Sequence, residues 1–430
     1  MTVLNALSDI WHGHRTPFLI HPEGTLAFSD LIDEIPAGIA TVNPGDVVAL
    51  VGDFTPSAIG SLLHLIDRHA IIVPLTGETA TDHEYFFQTA MVDVVLRHDR
   101  VERRIHQQTH PLLQQLRQQQ RGGLILFSSG STGRPKAILH DMNQFLSRFL
   151  TPRHTLRTLS FLLFDHIGGL NTLFHTLYNR GVIIVPRARS VGAVLQECAH
   201  HAVELLPTTP TFLRMLLLSG LVPTQVPDTL QLITYGTERM DQTTLDELCT
   251  LMPNVDFRQT YGMSELGILR VKSEARNSLF MQIGGEGVET RVLEGVLQIR
   301  SRSRMLGYLN QPTPFDQNGW YNTQDRVDMQ GPYIKIVGRD TETINVGGLK
   351  FMAADIERVA LEYPGIELAK VTAKPNPITG QHVELTVQAT AFNGTRDDFV
   401  KFLSERLSTH MVPRRIRFES VPISHRFKRS

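Results

Sequence analysis

The chain has 430 residues, of which 41% are hydrophobic and 20% charged, with a formal net charge of −1. At about 150 residues per domain this length predicts two or three domains with ample core. The near-neutral balance gives no support to a nucleic-acid or membrane-surface partner.

The N-terminal MTVLNALSDIWHGH lacks both a basic segment and a long apolar run, so no signal peptide is expected. From Asp46 short β-branched runs alternate with amphipathic segments. A strand is expected over 46–52, a helix opened by proline over 56–69, and a strand over 70–75. The alternation continues through VDVVL, GLILFSS, LRTLSFLL, VIIV, VELLP and LQLITYG, with helices between most of them. Buried strands alternating with helices imply parallel sheets covered on both faces. Residues 106–121 carry seven glutamines and read as a polar helix or linker. After about residue 284 shorter strands and turns predict a small β subdomain. Beyond Gly338 a separate α+β unit is expected, with helices over 353–362 and 396–408 and strands near 368–373, 382–388 and 415–419. The expected fold class is therefore α/β. It comprises a large N-terminal domain of parallel-rich sheets covered by helices, a small β subdomain, and a smaller α+β C-terminal domain.

No uninterrupted apolar stretch approaches the roughly 18 residues that a bilayer span requires. The two cysteines, Cys198 and Cys249, cannot build a disulfide framework and fit a reducing cytoplasm. Histidines are plentiful but are not paired with Cys or Glu at metal-ligand spacing, and His200-His201 reads as a solvated helix surface.

The chemistry concentrates at FSSGSTGRPKAILH, 127–140. The expected strand Gly123–Phe127 runs into Ser128, Ser129, Gly130, Ser131, Thr132 and Gly133, then Arg134-Pro135-Lys136. Glycines let backbone wrap closely round an anion, hydroxyls and N–H groups donate, and Lys136 adds a full charge; the ligand implied is a triphosphate. The Walker pattern fails, because counting from Gly130 puts Pro135 where glycine is needed and Ala137 where the Mg²⁺-binding hydroxyl belongs.

Six further segments follow in order: FDHIGGL (164–170), ITYGTERM (233–240), QTYGMSELG (259–267), WYNTQDRVD (320–328), GRDTETINVGGLKFMAADIE (338–357) and VPISHRFKRS (421–430). With the phosphate loop, whose SSGSTGRPK fits the family signature throughout, they make the chain resemble the adenylate-forming superfamily. That superfamily comprises acyl- and aryl-CoA ligases, peptide-synthetase adenylation domains and luciferases. The resemblance runs from about Gly45 to the C-terminus. It implies ATP-dependent joining of a carboxylate to the α-phosphate of ATP, loss of pyrophosphate, and acyl transfer from the acyl-AMP. Both reactants are anionic, so positioning and charge neutralisation should dominate the catalysis.

The resemblance assigns the nucleotide to the phosphate loop, to Gly236, Thr237 and Glu238, and to Tyr261, Gly262 and Ser264. Glu265 would hold Mg²⁺ through a hard oxygen. Asp325 would accept the ribose hydroxyls, and Arg339 would contact ribose and phosphate. Lys428 would be the catalytic lysine, with Ser424 in register and Phe427 where the family has glycine; Gln324 replaces another family glycine. A domain of residues 1–339 would bind AMP, and a mobile domain of residues 340–430 would turn about Asp340-Thr341. That turn would bring Gly347-Gly348 to line the acceptor channel.

FDHIGGL reads in two registers. In one, Asp165 binds a substrate α-amino group; in the other, His166 is a catalytic gating histidine, Asp165 lies outside the pocket, and the acid is not an amino acid. The spacing from His166 to Gly181 favours the second. The acceptor is expected to be a thiol, on CoA or on a carrier protein. An amine acceptor and a catalytically degenerate adenylate-binding protein remain the alternatives.

Overall fold

The computed structural model describes every residue except 1, 34, 37, 99, 107, 129–133, 391, 393 and 429–430. Among the described residues it holds three seven-stranded sheets and one of five strands.

One sheet carries the base of the phosphate loop. Its centre is parallel: Val94–Arg97, Val47–Val51, Ile71–Leu75 and Gly123–Phe127 lie side by side. Gly123–Phe127 then pairs antiparallel with Ala137–Asp141, and Gly307–Tyr308 adds an edge strand beyond it. The central strands are buried throughout, which is why they read as near-continuous apolar runs. A covering helix, Pro56–Asp67, starts with Thr55 capping Ala58 N–H and proline in the first turn, where a missing N–H costs nothing.

A second sheet is parallel through Asp256–Gln259, Leu232–Tyr235, Leu205–Thr208, Thr158–Leu159 and Ile183–Ile184, and continues to Leu19–His21. LRTLSFLL yields only two strand residues, because the chain leaves the sheet after Leu159. The third sheet is antiparallel and begins at Tyr261–Met263. The β subdomain therefore starts some twenty residues before the expected point near 284: the YGM and GILRVKS segments close as a hairpin.

Residues 343–418 build the five-stranded sheet, with helices Ala353–Leu361 and Arg396–Arg406. They have their own core, centred on Ile356, Ala369, Leu385, Val387, Phe399 and Leu403. Arg214, 7% exposed, reaches this unit by donating to the carbonyls of Ile366 and Glu367 at 3.0 Å each. A third bond from its guanidinium goes to Thr244 Oγ1 at 3.2 Å.

Candidate active site

The phosphate-loop residues Ser129, Gly130, Ser131, Thr132 and Gly133 lie outside the described residues. The base of the loop is well defined. Ser128 N–H donates to Lys136 O, and Lys136 N–H to Ser128 Oγ, each at 3.1 Å. Asn310 braces the far side, accepting from Ala137 N–H at 3.0 Å and donating to Pro135 O, which also accepts from Tyr85 OH at 2.9 Å.

Lys136 lies with its Nζ 5.2 Å from the centre of the Tyr308 ring. The Tyr308 hydroxyl donates to Glu265 Oε1 at 2.7 Å, and burial together with Glu265 holds that phenol well above its usual range. Tyr321 bonds to the same pair. Glu265 is thus a buried carboxylate served by phenols, with no cationic side chain within 4.0 Å among the described residues. One residue earlier on the chain, Ser264 O accepts from His140 Nε2 at 2.6 Å; burial lowers that histidine to about 4, so it stays neutral and donates.

Beside this cluster, Tyr261 OH donates to Asp325 Oδ2 at 2.6 Å, and Arg339 Nε stands 3.5 Å from Asp325 Oδ1. Burial, opposed by both partners, raises the Asp325 carboxyl. Tyr261 is itself core, so its hydroxyl orients the carboxylate proposed for ribose. Gly262 answers a packing demand: a Cβ there would meet Gly267 O at 2.7 Å across the hairpin. Gly236 is similar, since a Cβ would stand 2.7 Å from Thr260 O. The next residue, Thr237, holds φ +71°, a left-handed conformation that aims the 236–238 turn at the cleft.

The cleft has an apolar wall of Phe161, Leu162 and Leu163, with His166, Thr209 and Thr237 beside it. The C-terminal tail, His425 to Lys428, closes the other side. Lys428 is half-buried there; desolvation brings it down to about 8, against the opposing pull of Glu238. Glu238 in turn accepts from Thr211 Oγ1 at 2.6 Å. His166 sits at the N-cap of Ile167–Tyr178, accepting from Gly168 N–H at 3.0 Å. Burial, then Lys428, then Arg426 drive it far below the usual histidine range, so it is neutral.

At two positions this chain departs from family glycines, and both are left-handed, Gln324 at φ +61° and Phe427 at φ +51°. The backbone that glycine would adopt is kept, at a cost of about 1–2 kcal/mol per residue. Phe427 offsets this by packing its ring 5.0 Å from Phe161 and 5.8 Å from Phe212.

Gly347 and Gly348 are not brought to the cleft. They form the tip of the hairpin joining Thr343–Val346 to Leu349–Met352, at φ +61° and +89°, with open space where a Cβ would stand. Asp340 and Thr341 lie in a 3₁₀ turn, Asp340–Glu342, and Asp340 Oδ1 accepts from Arg326 at 2.8 Å. The sequence assigns no role to Tyr308, His140 or Arg426: the last two lie inside the segments 127–140 and 421–430, but only distant partners give any of the three a role.

The chain matches the AMP-binding enzyme family over residues 29–308, well over half its length, and belongs to that family. An acyl-CoA synthetase of Alternaria alternata is 26% identical over 69% of this chain and 62% of its own length. A phenyloxazoline synthase of a Mycobacterium species is 24% identical over 94% of this chain but 39% of its own. The chain thus spans less than two thirds of these curated relatives. Among solved structures, an anthranilate CoA ligase in complex with anthranoyl-AMP superposes with a TM-score of 0.81 at 16% identity, covering 100% of this chain and 95% of that one. The amide bond synthetase McbA of Marinactinospora thermotolerans gives 0.76 at 17% identity, covering 99% and 98%. These superpositions establish the fold: a large N-terminal part of mixed sheets and helices and a smaller C-terminal part.

Proposed function

We propose that this protein is an ATP-dependent carboxylic-acid ligase, forming an acyl-AMP with release of pyrophosphate and passing the acyl group to a thiol. The observation that carries this reading is Lys428: a lysine from the far end of the chain stands half-buried in a largely apolar cleft beside Thr237, His166 and Glu238. A partly desolvated cation there suits an incoming anion. The substrate carboxylate and the α-phosphate are the anions that the reaction brings.

The roles then follow. Lys136 and the loop it closes take the β- and γ-phosphates, and Asp325 and Arg339 the ribose. Glu265 suits Mg²⁺, an ion usually held by one or two carboxylates, substrate phosphates and water rather than by an all-protein cage. Among the described residues no cluster of three acidic, histidine or cysteine ligands exists, so a metal at Glu265 would arrive with the triphosphate. Bound there, Mg²⁺ would neutralise charge on the departing pyrophosphate.

The cleft wall favours an acid with an apolar body. His166 faces that cleft, whereas Asp165 is tied to Arg426 at 3.2 Å, which supports the register without an α-amino group. The independent core of residues 343–418 supports a mobile unit of residues 340–430 hinged at Asp340-Thr341. Turning it would withdraw Lys428 and bring Gly347-Gly348 to the acceptor channel. CoA or a carrier protein is the acceptor this favours, with an amine second because the fold of McbA is shared. The free cysteines agree with a cytoplasmic location, and no helix among the described residues is long and apolar enough to cross a membrane.

Pyrophosphate release from ATP across a panel of carboxylic acids tests the reading, followed by mass spectrometry with CoA or mixed amino acids. Acyl-CoA is expected. Acyl-amino acid without acyl-CoA would promote the amide synthetase, and no pyrophosphate with any acid would leave an adenylate-binding protein.

A further inference from the structure

We propose that Asp165 and Arg426 form a docking pair that seats the Lys428-bearing tail in the cleft, acting as positioning residues for acyl-adenylate formation. The proposal relies on the acid-ligase reading for what Lys428 does, but not for where the tail sits.

Arg426 Nη2 lies 3.2 Å from Asp165 Oδ2, across 261 positions of sequence, with side-chain exposures of 13% and 4%. Two further polar atoms of the pair, Asp165 Oδ1 and Arg426 Nε, are buried and find no partner among the described residues. Each charge therefore depends mainly on the other, and removing either leaves an uncompensated buried ion. The contact joins the loop before the Ile167–Tyr178 helix to a tail segment with no regular secondary structure.

Two neighbours of the pair make the tail a compact plug. Phe427 O accepts from Thr209 Oγ1 at 2.7 Å while its ring packs on Phe161. Ser424 and Lys428 close a small loop, Ser424 N–H donating to Lys428 O at 2.8 Å. Arg426 thus sits between two anchored residues, and its side chain is the tail's ionic link to the body of the protein.

Charge balance explains why a carboxylate must be there. Arg426 and Lys428 are two cations lining one small cleft, and the neutral His166 beside them offsets neither. Asp165 takes up the charge of Arg426, while Glu238 favours the charged form of Lys428. The same arrangement occupies Asp165, so it is not available to a substrate amine.

Hydrogen exchange of the 421–428 segment in the full chain, with no substrate added, reads the docking directly. Asp165→Asn and Arg426→Gln should each speed exchange there at least tenfold, with a similar loss of pyrophosphate release. Arg426→Lys should lose far less. The charge-swapped double variant, Asp165→Arg with Arg426→Asp, should recover part of both signals. Arg426 lies in the tail outside every core cluster, so its variants should fold even if Asp165→Asn does not. Unchanged tail exchange in Arg426→Gln, or a swap no better than the single variants, overturns the proposal. Faster exchange in a protein that adenylates no acid would instead keep the docking pair and sink the acid-ligase reading.

Discussion

The nucleotide side of the site and its lysine side are built on opposite plans. Lys136, Glu265, Tyr308 and Asp325 stand on or beside strands, each braced by a short bond: Lys136 to Ser128, Tyr308 to Glu265 across two sheets, and Asp325 to Tyr261. Lys428 rides on a tail without regular structure, held by a ring, a carbonyl and one ion pair. The first plan gives fixed geometry where charge develops; the second gives a group that can leave. The two-step reaction proposed above would use both.

The largest effects should fall on the fixed side. Lys136→Ala and Glu265→Ala are each expected to lower pyrophosphate release by about 10²–10³, the worth of one contact to a developing charge. Near-wild-type release in either variant would dissolve the contrast by showing that the braced cluster does not touch the reacting phosphates.

Lys428→Ala sharpens the comparison from the other side. Adenylation should collapse by a similar factor, whereas transfer from synthetic acyl-AMP should persist. Equal loss in both half-reactions, measured separately, would mean that the tail never leaves.

A third expectation concerns pH. Burial brings Lys428 down to about 8, so the charged form dominates below that value and disappears above it. The adenylation rate should therefore fall about tenfold per pH unit above 8, as expected for one essential proton. Acyl transfer should lack this limb in a stopped-flow profile of each half-reaction; a shared limb would assign the titration elsewhere.

The smallest effects come from the two left-handed residues. Gln324→Gly relieves backbone strain at an exposed position of the Tyr321–Gln330 strand and should stabilise the protein by up to about 1 kcal/mol in thermal unfolding. Phe427→Gly relieves the same strain but deletes the ring that seats the tail, so adenylation should fall rather than rise. Improved adenylation in Phe427→Gly would show that packing on Phe161 contributes nothing to docking.

Much of this was legible from sequence because its signals are local. Gly123–Phe127 announces itself as an apolar run ending in small residues, and the Ala353–Leu361 and Arg396–Arg406 helices differ from expectation by only one or two residues at their C-terminal ends. The start of the antiparallel sheet was missed because Tyr261–Met263 is only three residues long, too short to show alternation. Lys428 was found through its register with Val421-Pro422, although the glycine before it is absent. Tyr308 and Arg426 were not found: one acquires its role from Glu265, 43 positions away, and the other from Asp165. Asp325 was readable as a candidate ribose ligand from the family pattern, but its hold by Tyr261 was not, since that bond crosses 64 positions.

Arg214 adds a matter of timing. Its guanidinium is nearly sealed from solvent and gives two of its bonds to the carbonyls of Ile366 and Glu367. Any swing of the C-terminal unit must strip both acceptors from a cation that water does not yet reach. Such a motion would therefore have a barrier of its own, separate from the chemistry, with solvent entering the seam before it is crossed. In such a protein turnover would be set by how often the seam opens, and thickening the solvent would slow the overall cycle while leaving a single round of adenylation untouched.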